Sequence, residues 1–381
     1  MAQTYTIEDL RKMQARPPER KVLITYTRLL ELCMKVNYKI AVSFSGGKDS
    51  TVLLDMVARF WASDKESHGN APLVVVFANT SNEFAGMENF VKFYCKYIED
   101  KHGITIDLHI VRGEKTFYEV VKDIGYPIGS KRISKQIRKI RRWLESSGVS
   151  WNDIKDHLDN GLESAEYLRS LGAGDTIVLN LTGIKSDNKE AKRFKLSKRW
   201  RPLIIAPFES SEECCEKLKK APMRIIEKEL GLSPVIAEMA DDGEQRKTAY
   251  LKTGCNAFKN GKAVSKPMGP WVEQDVLWYL EYYKLPYFPR YGDLLRDEKT
   301  GLLYLTGEQR TGCKLCLFGC QFKDRIEQFT RLAETEPQTV EFALRPKEEK
   351  GLGYKEVLDY INQNCKCKIK IPEEPKNDER K

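Results

Sequence analysis

Ile40-Ala41-Val42-Ser43-Phe44-Ser45-Gly46-Gly47-Lys48-Asp49-Ser50 is an apolar run that stops in a glycine pair flanked by hydroxyls and charge. Directly after it, Thr51-Val52-Leu53-Leu54-Asp55-Met56-Val57 has the make-up of a helix. Strand, glycine turn and helix start, in that order, form an anion site. Glycines let backbone N–H groups approach the anion, and the helix dipole favours negative charge at that end. Lys48 adds a cation, and Ser45 and Ser50 add hydroxyl donors. The spacing is not that of a Walker A loop, which has four residues between its glycines and ends in Gly-Lys-Ser/Thr. The turn reads as a surface anion site: Ser45, Gly46, Gly47, Lys48, Asp49 and Ser50 bind the ligand, and Lys48 and Asp49 act in catalysis.

Outward from this turn, residues 7–15 and 21–36 read as helices separated by Arg16-Pro17-Pro18. Residues 73–78 read as a second buried strand, closing on Asn79-Thr80-Ser81-Asn82-Glu83-Phe84. This exit resembles the one after the second strand of sulfonucleotide reductases, which implies that Asn79 and Glu83 reach the nucleoside; a plain turn is the other reading. Residues 87–101 have helical periodicity, 105–111 alternate as a third strand, and 175–182 read as a fourth strand ending at Gly183. Strands alternating with helices at this spacing predict an α/β fold, a doubly wound parallel sheet with its ligand at the strand C-termini. The expected organisation is N-terminal helices (1–38), a nucleotide-binding α/β domain (39–209) with a basic helical insertion (112–170), a cysteine-rich region (210–330), then a C-terminal helix and tail (331–381). From Pro372 the tail has a disordered composition.

The 381 residues carry a net charge of +9, with 41% hydrophobic and 31% charged residues, as in a soluble globular protein. No apolar run is long enough for a transmembrane helix and the first residues do not resemble a signal peptide, so a cytoplasmic location is expected. Two basic blocks stand out. Lys131-Arg132-Ile133-Ser134-Lys135-Gln136-Ile137-Arg138-Lys139-Ile140-Arg141-Arg142 repeats isoleucine at helical spacing, and a second block runs from Lys185 to Arg201. Solvated faces are the plain explanation of such runs; a nucleic-acid partner is the alternative.

Ten cysteines in a reducing compartment point to metal or redox chemistry rather than disulfides. Cys214-Cys215 are adjacent, and Cys313-Lys314-Leu315-Cys316 is followed by Cys320. Cys33 and Cys95 lie in apolar helical patterns and read as core. Cys-x-x-Cys suits an iron–sulfur cluster and structural zinc equally, and packing alone is a third reading.

Ser45-Gly46-Gly47-Lys48-Asp49-Ser50 resembles the PP-loop of the adenine nucleotide α-hydrolase superfamily, Ser-Gly-Gly-x-Asp-Ser. The cysteines resemble the four-cysteine set of iron–sulfur adenylyl-sulfate reductases. Further along come Arg246, Gly254-Cys255-Asn256-Ala257-Phe258, Pro267-Met268-Gly269-Pro270-Trp271-Val272-Glu273-Gln274-Asp275-Val276-Leu277, Tyr291-Gly292-Asp293 and Arg310-Thr311-Gly312-Cys313. In that order, over about residues 38–325, they resemble the phosphoadenosine phosphosulfate (PAPS) reductase domain proteins of bacteria and phages. The resemblance implies an adenine nucleotide, ATP or PAPS, bound at the turn. It also implies a [4Fe–4S] cluster on Cys214, Cys215, Cys313 and Cys316, with Cys255 and Cys320 as substitutes and Mg²⁺ as a further candidate ion. A sulfur- or electron-donor protein is an implied partner. The Glu-Cys-Gly motif of the sulfite-forming reductases is missing; the tail has only Cys365-Lys366-Cys367. Two other functions stay open beside nucleotide cleavage: ATP-dependent sulfur transfer to tRNA or DNA, and a nucleotide-binding regulator with structural zinc.

Overall fold

The computed structural model describes residues 4–259, 261–323 and 325–372. The tail expected to be disordered lies, beyond Pro372, outside the described residues. Contacts divide the chain into two units, Met1–Glu114 with Leu218–Lys314, and Lys115–Lys217 with Leu315–Lys381.

The first unit holds a six-stranded sheet. Its strands are β1 (Ile40–Ser43), β2 (Leu73–Asn79), β3 (Ile106–Arg112), β4 (Ser233–Ile236), β5 (Asn256–Lys259) and β6 (Lys262–Ser265). Their order is β3-β2-β1-β4-β6-β5, parallel throughout except for the β5–β6 pair. Ile40, Ala41 and Val42 are all buried, the continuous apolar run of a strand covered on both faces. Ala41, Val76 and Ala78 pack on Met223 of the helix Ala221–Glu229. Four further helices of this unit are α1 (Ile7–Gln14), α2 (Pro18–Val36), α3 (Lys48–Ser63) and α4 (Met87–His102), of which α2 and α4 both pack on α3. In register, Ala41 faces Val74 and Ser43 faces Val76, so the loops after β1 and β2 leave the same edge of the sheet, as the sequence predicts.

The second unit is helical, with α5 (Lys131–Ser147) and α6 (Asp175–Thr182) at its centre. The basic block at 131–142 is helical, and Ile133, Ile137, Ile140 and Trp143 are its buried face. The expected strand at 175–182 is wrong. That segment is α6, opened at Gly174 and stopped at Gly183, whose φ of +80° ends a helix readily. A short apolar run bounded by glycines suits a buried strand and a buried helix alike, and this one is enclosed, with Ile177, Val178, Asn180 and Leu181 buried. The strand parallel to β1 on that side is Ser233–Ile236 instead.

Two buried charges tie the first unit's helices together. Lys21 of α2 meets Asp275 at 2.6 Å, on the helix Glu273–Tyr282. Asp55 of α3 accepts from Lys101 and His102 at 2.8 Å each and from the Tyr279 hydroxyl at 2.7 Å. Burial pushes the Asp55 carboxyl up, but the bonds from His102, Lys101 and Tyr279 and the Lys101 charge outweigh it and hold it at about 2. A carboxyl depressed on folding stabilises above its unfolded value, and that contribution fades as pH falls through the folded one. Stability should therefore drop between pH 3.8 and about 2. Asp55→Asn should lose about 2 kcal/mol near neutrality and flatten that acid limb, measured by denaturant melts across pH.

Candidate nucleotide site

The turn after β1 is built as the sequence predicts, and the structure adds what holds it. Gly46 has a φ of +72°, and a Cβ there would lie 2.2 Å from Met87 Sδ, so neither conformation nor space admits a side chain. Ser50 Oγ donates to the Gly47 carbonyl (2.9 Å), accepts from the Ser45 N–H (3.2 Å) and lies 3.1 Å from Ser45 Oγ. Gly47 is the N-cap of α3 and offers it no capping side chain; the Lys48 N–H goes to the Tyr291 hydroxyl, and the rest of the first turn is left to an anion.

The turn is less exposed than a surface anion site: Lys48 is 7% and Ser50 4% exposed. What covers it comes from far along the chain. The Lys48 N–H donates to the Tyr291 hydroxyl (3.1 Å), which pairs with Thr311 Oγ1 (2.9 Å). Lys48 Nζ reaches the Gln309 carbonyl (3.3 Å) and Glu273 (3.2 Å), with Asp49 further off at 3.8 Å. Burial works against the Lys48 charge, yet Asp49, Tyr291 and Glu273 outweigh it and hold the ammonium above its usual range. Asp49 moves the other way from a normal ion-paired acid. Burial pushes its carboxyl up, Lys48 and Arg310 oppose that, and Asp242 and Glu273 add to it. Its Oδ1 is buried and has no hydrogen-bond partner among the described residues. Lys48 is thus shared between Asp49, the stronger influence on its charge, and Glu273, the nearer carboxylate, and Asp49 keeps an unmet acceptor. Sequence reading flagged Glu273, Tyr291 and Arg310-Thr311 only as part of a resemblance; Gln309 carried no signal of its own.

Asn79 and Glu83 leave the sheet beside this turn, and both serve their own loop. Glu83 accepts from the Thr80 N–H (3.0 Å), the Thr80 hydroxyl (2.6 Å) and the Asn82 N–H (3.2 Å). Asn79 donates to Glu88 (2.7 Å) and accepts from the Ser81 N–H (2.8 Å). The segment covering the first turn also touches this one: Cys313 Sγ lies 3.6 Å from Thr80 Oγ1, and the Lys314 N–H donates to the Asn82 carbonyl at 2.8 Å.

Of the cysteines proposed as ligands, Cys313 belongs to the first unit and Cys214, Cys215 and Cys316 to the second. In the second unit, the fully buried Tyr354 phenol is held well above its ordinary range by burial first, then by Cys316, Cys214, Tyr126 and Cys320. Three cysteines therefore share its surroundings. Cys215 leads into the π-helical turn Glu216–Lys220, a strained form that often marks functional positions. Cys255 is a core residue packed with Leu10, Tyr250 and Leu251, its thiol pushed up to about 11 by burial. Cys33 and Cys95 are core as expected, each pushed up to about 12 by burial. In the tail pair, Arg199 donates to the Cys365 carbonyl (2.8 Å) and to Cys367 Sγ (3.1 Å). Among the described residues no three His, Cys, Asp or Glu side chains form a metal-binding group.

Gly46→Ala tests the geometry of the turn. It should cost more than about 1–3 kcal/mol, the strain of a left-handed non-glycine residue, because the clash with Met87 adds to it. Thermal melts measure this, and an unchanged melting temperature would contradict the turn as described.

Residues 39–146 match the phosphoadenosine phosphosulfate reductase domain family. An uncharacterized protein of Methanocaldococcus jannaschii is 33% identical over 137 residues, 35% of this chain and 29% of that protein, so the match spans under a third of that relative. Among solved structures, the phosphoadenylyl-sulfate (PAPS) reductase from Candida auris in its phosphate complex aligns with a TM-score of 0.33 at 12% identity. That alignment covers 76% of this chain and 92% of the reductase. No helix among the described residues is long and apolar enough to cross a membrane. The glycine turn at Ser45–Ser50 thus lies within the segment, residues 39–146, that matches the phosphoadenosine phosphosulfate reductase domain family.

Proposed function

We propose that this protein is an enzyme that binds an adenine nucleotide, ATP or PAPS, with its phosphate or sulfate end at Ser45–Ser50, and cleaves or activates a bond there. One observation carries the reading. An uncapped helix N-terminus sits on a glycine turn at the C-terminal edge of a parallel sheet, with a buried lysine beside it. Lys48 neutralises developing negative charge, and Glu273 holds its ammonium in place. Asp49, with its unmet Oδ1, is the residue that would hold a Mg²⁺ ion accompanying the nucleotide, or a donor group on it. Lys48→Ala and Asp49→Asn should each weaken nucleotide binding at least about tenfold, the loss of one charged contact. Calorimetric titration with ATP and with PAPS measures this. Product analysis on anaerobically purified protein then separates AMP plus pyrophosphate from sulfite. Unchanged turnover in both variants would overturn the assignment.

An iron–sulfur cluster on Cys214, Cys215, Cys313 and Cys316 is the second part of the proposal. Thiolates suit iron–sulfur ligation, and two of the four, Cys214 and Cys316, both influence the buried Tyr354 of the second unit. Such a cluster would supply electron-transfer or sulfur chemistry when bound. Anaerobic purification should yield iron and acid-labile sulfide, lost in Cys316→Ser. Zinc without iron would leave a structural site, and the absence of both metals would remove this part of the proposal.

A further inference from the structure

Among the cations of the two basic blocks, all within the second unit, two groups stand out, while Lys189 and Lys192 pair with the neighbouring Asp187 and Glu190. One group holds the unit together. Arg138 meets Glu212 (2.5 Å) and Glu213 (3.1 Å), and Arg141 meets Glu209 (2.8 Å). Lys195, Lys198 and Arg201 converge on Asp159 at 2.9, 2.9 and 2.7 Å. The other group comprises Lys131, Arg132, Lys135, Lys185 and Arg193, all exposed. Among the described residues, no carboxylate lies within ion-pair distance of any of these five.

The fold brings the two blocks together at Arg132 and Arg193. Arg132 donates to the Arg193 carbonyl at 2.8 Å, and Gln136, one turn on, donates to the Phe194 carbonyl at 2.5 Å. Blocks some 60 positions apart in sequence are thereby sewn together backbone to side chain. Arg169 in turn holds the Lys185 carbonyl at 3.0 Å. The arrangement is costly to the folded chain. Lys131, Arg132 and Lys135 stand at the positive end of α5, whose first turn has no acidic residue. Each such cation is unfavourable by about 0.3–1 kcal/mol against the helix dipole. Lys131 and Lys135 also repel each other at i,i+4 spacing. Local rules broken together without an internal partner are the mark of a site kept for something outside the chain.

We propose that this surface binds a nucleic acid through its phosphodiester backbone. Closely spaced cations without counter-charges match a polymer of regularly spaced anions, and releasing its condensed counterions supplies the binding energy. A membrane surface does not fit. A basic helix binds lipid by inserting its apolar face, and that face of α5 (Ile133, Ile137, Ile140 and Trp143) is already buried in the unit. The surface lies wholly in one unit, and the inference does not rest on the nucleotide site.

Fluorescence anisotropy of the full chain tests it, with labelled duplex DNA and a labelled RNA hairpin of about 20 base pairs, between about 50 and 200 mM salt. Binding to either polymer should weaken steeply as salt rises. The double variant Lys131→Ala/Lys135→Ala should bind at least about tenfold more weakly, with the log–log salt slope reduced by about 2. Both lysines are exposed and make no bond that the fold needs, so this variant keeps its helical circular dichroism and its nucleotide affinity. Arg132→Ala/Arg193→Ala should behave alike. Three results would overturn the proposal: no binding of DNA or RNA at low salt, binding unchanged in both variants, or equally tight binding of polyglutamate or of phosphatidylserine vesicles. The DNA and RNA arms identify which polymer is preferred.

Discussion

The hydrogen bond from the Lys48 N–H to the Tyr291 hydroxyl, 3.1 Å long, joins the first loop of the sheet to a segment more than two hundred residues later. The two approach closely: a Cβ at Gly47 would stand 3.4 Å from the Tyr291 oxygen, in van der Waals contact with it. Tyr291 brings Thr311 with it, and the residues after Thr311 reach the loop that follows β2 through Thr80 and Asn82. Both turns at the C-terminal edge of the sheet are therefore held by the same late stretch of chain. A phosphate loop in isolation is a flexible turn. Bound on its far side, it has its backbone donors fixed before any ligand arrives, and that preorganisation is what makes an oriented dipole useful for chemistry.

Charge within this site is divided unequally, and the division explains the roles of neighbouring residues. Lys48 and Asp49 are adjacent in sequence, yet the ammonium lies closer to Glu273 than to Asp49. Asp49 also feels Asp242, which lies just beyond β4, the strand beside β1. Two acids, Asp49 and Glu273, thus flank one lysine in a buried turn, while Asp242 pairs with Arg246 at 2.7 Å. Such an excess of negative charge is tolerable where a cation or a donor-rich ligand completes it, and it opposes a second anion unless Lys48 and Arg310 meet it.

Elsewhere in the first unit, buried charge does structural work. Asp55 joins α3 to α4 and to the helix Glu273–Tyr282, and the Lys21–Asp275 pair joins that helix to α2. Glu273, which steadies Lys48, opens the same helix, so the node that packs the unit also sets the position of a residue in the candidate site. In the second unit, acids are spent on Arg138, Arg141, Lys195 and Arg201, the cations that brace its loops, while those at the start of α5 are left to solvent.

The sequence by itself determined the nucleotide-binding half of the fold. A strand ending in Ser-Gly-Gly-Lys-Asp-Ser admits few other structures, because only glycine accepts Gly46's φ of +72° and only an open helix start follows. The strands at 73–79 and 106–112 were legible from apolar patterning, as was the buried face of α5. Residues 175–182 were not, because four apolar positions, Ile177, Val178, Leu179 and Leu181, carry no period that separates helix from strand; the segment's caps and its packing against α5 decided it. The strand β4, only four residues long, was too short to announce itself, and pairing with β1 made it a strand. Tertiary structure alone placed Glu273, Gln309, Tyr291 and Thr311 on the phosphate turn, and it turned Glu83 and Asn79 inward to hold their own loop. It also separated bracing cations from bare ones. Spacing along the chain records which side chains are neighbours in one element, and contacts across hundreds of residues are set only when the chain packs.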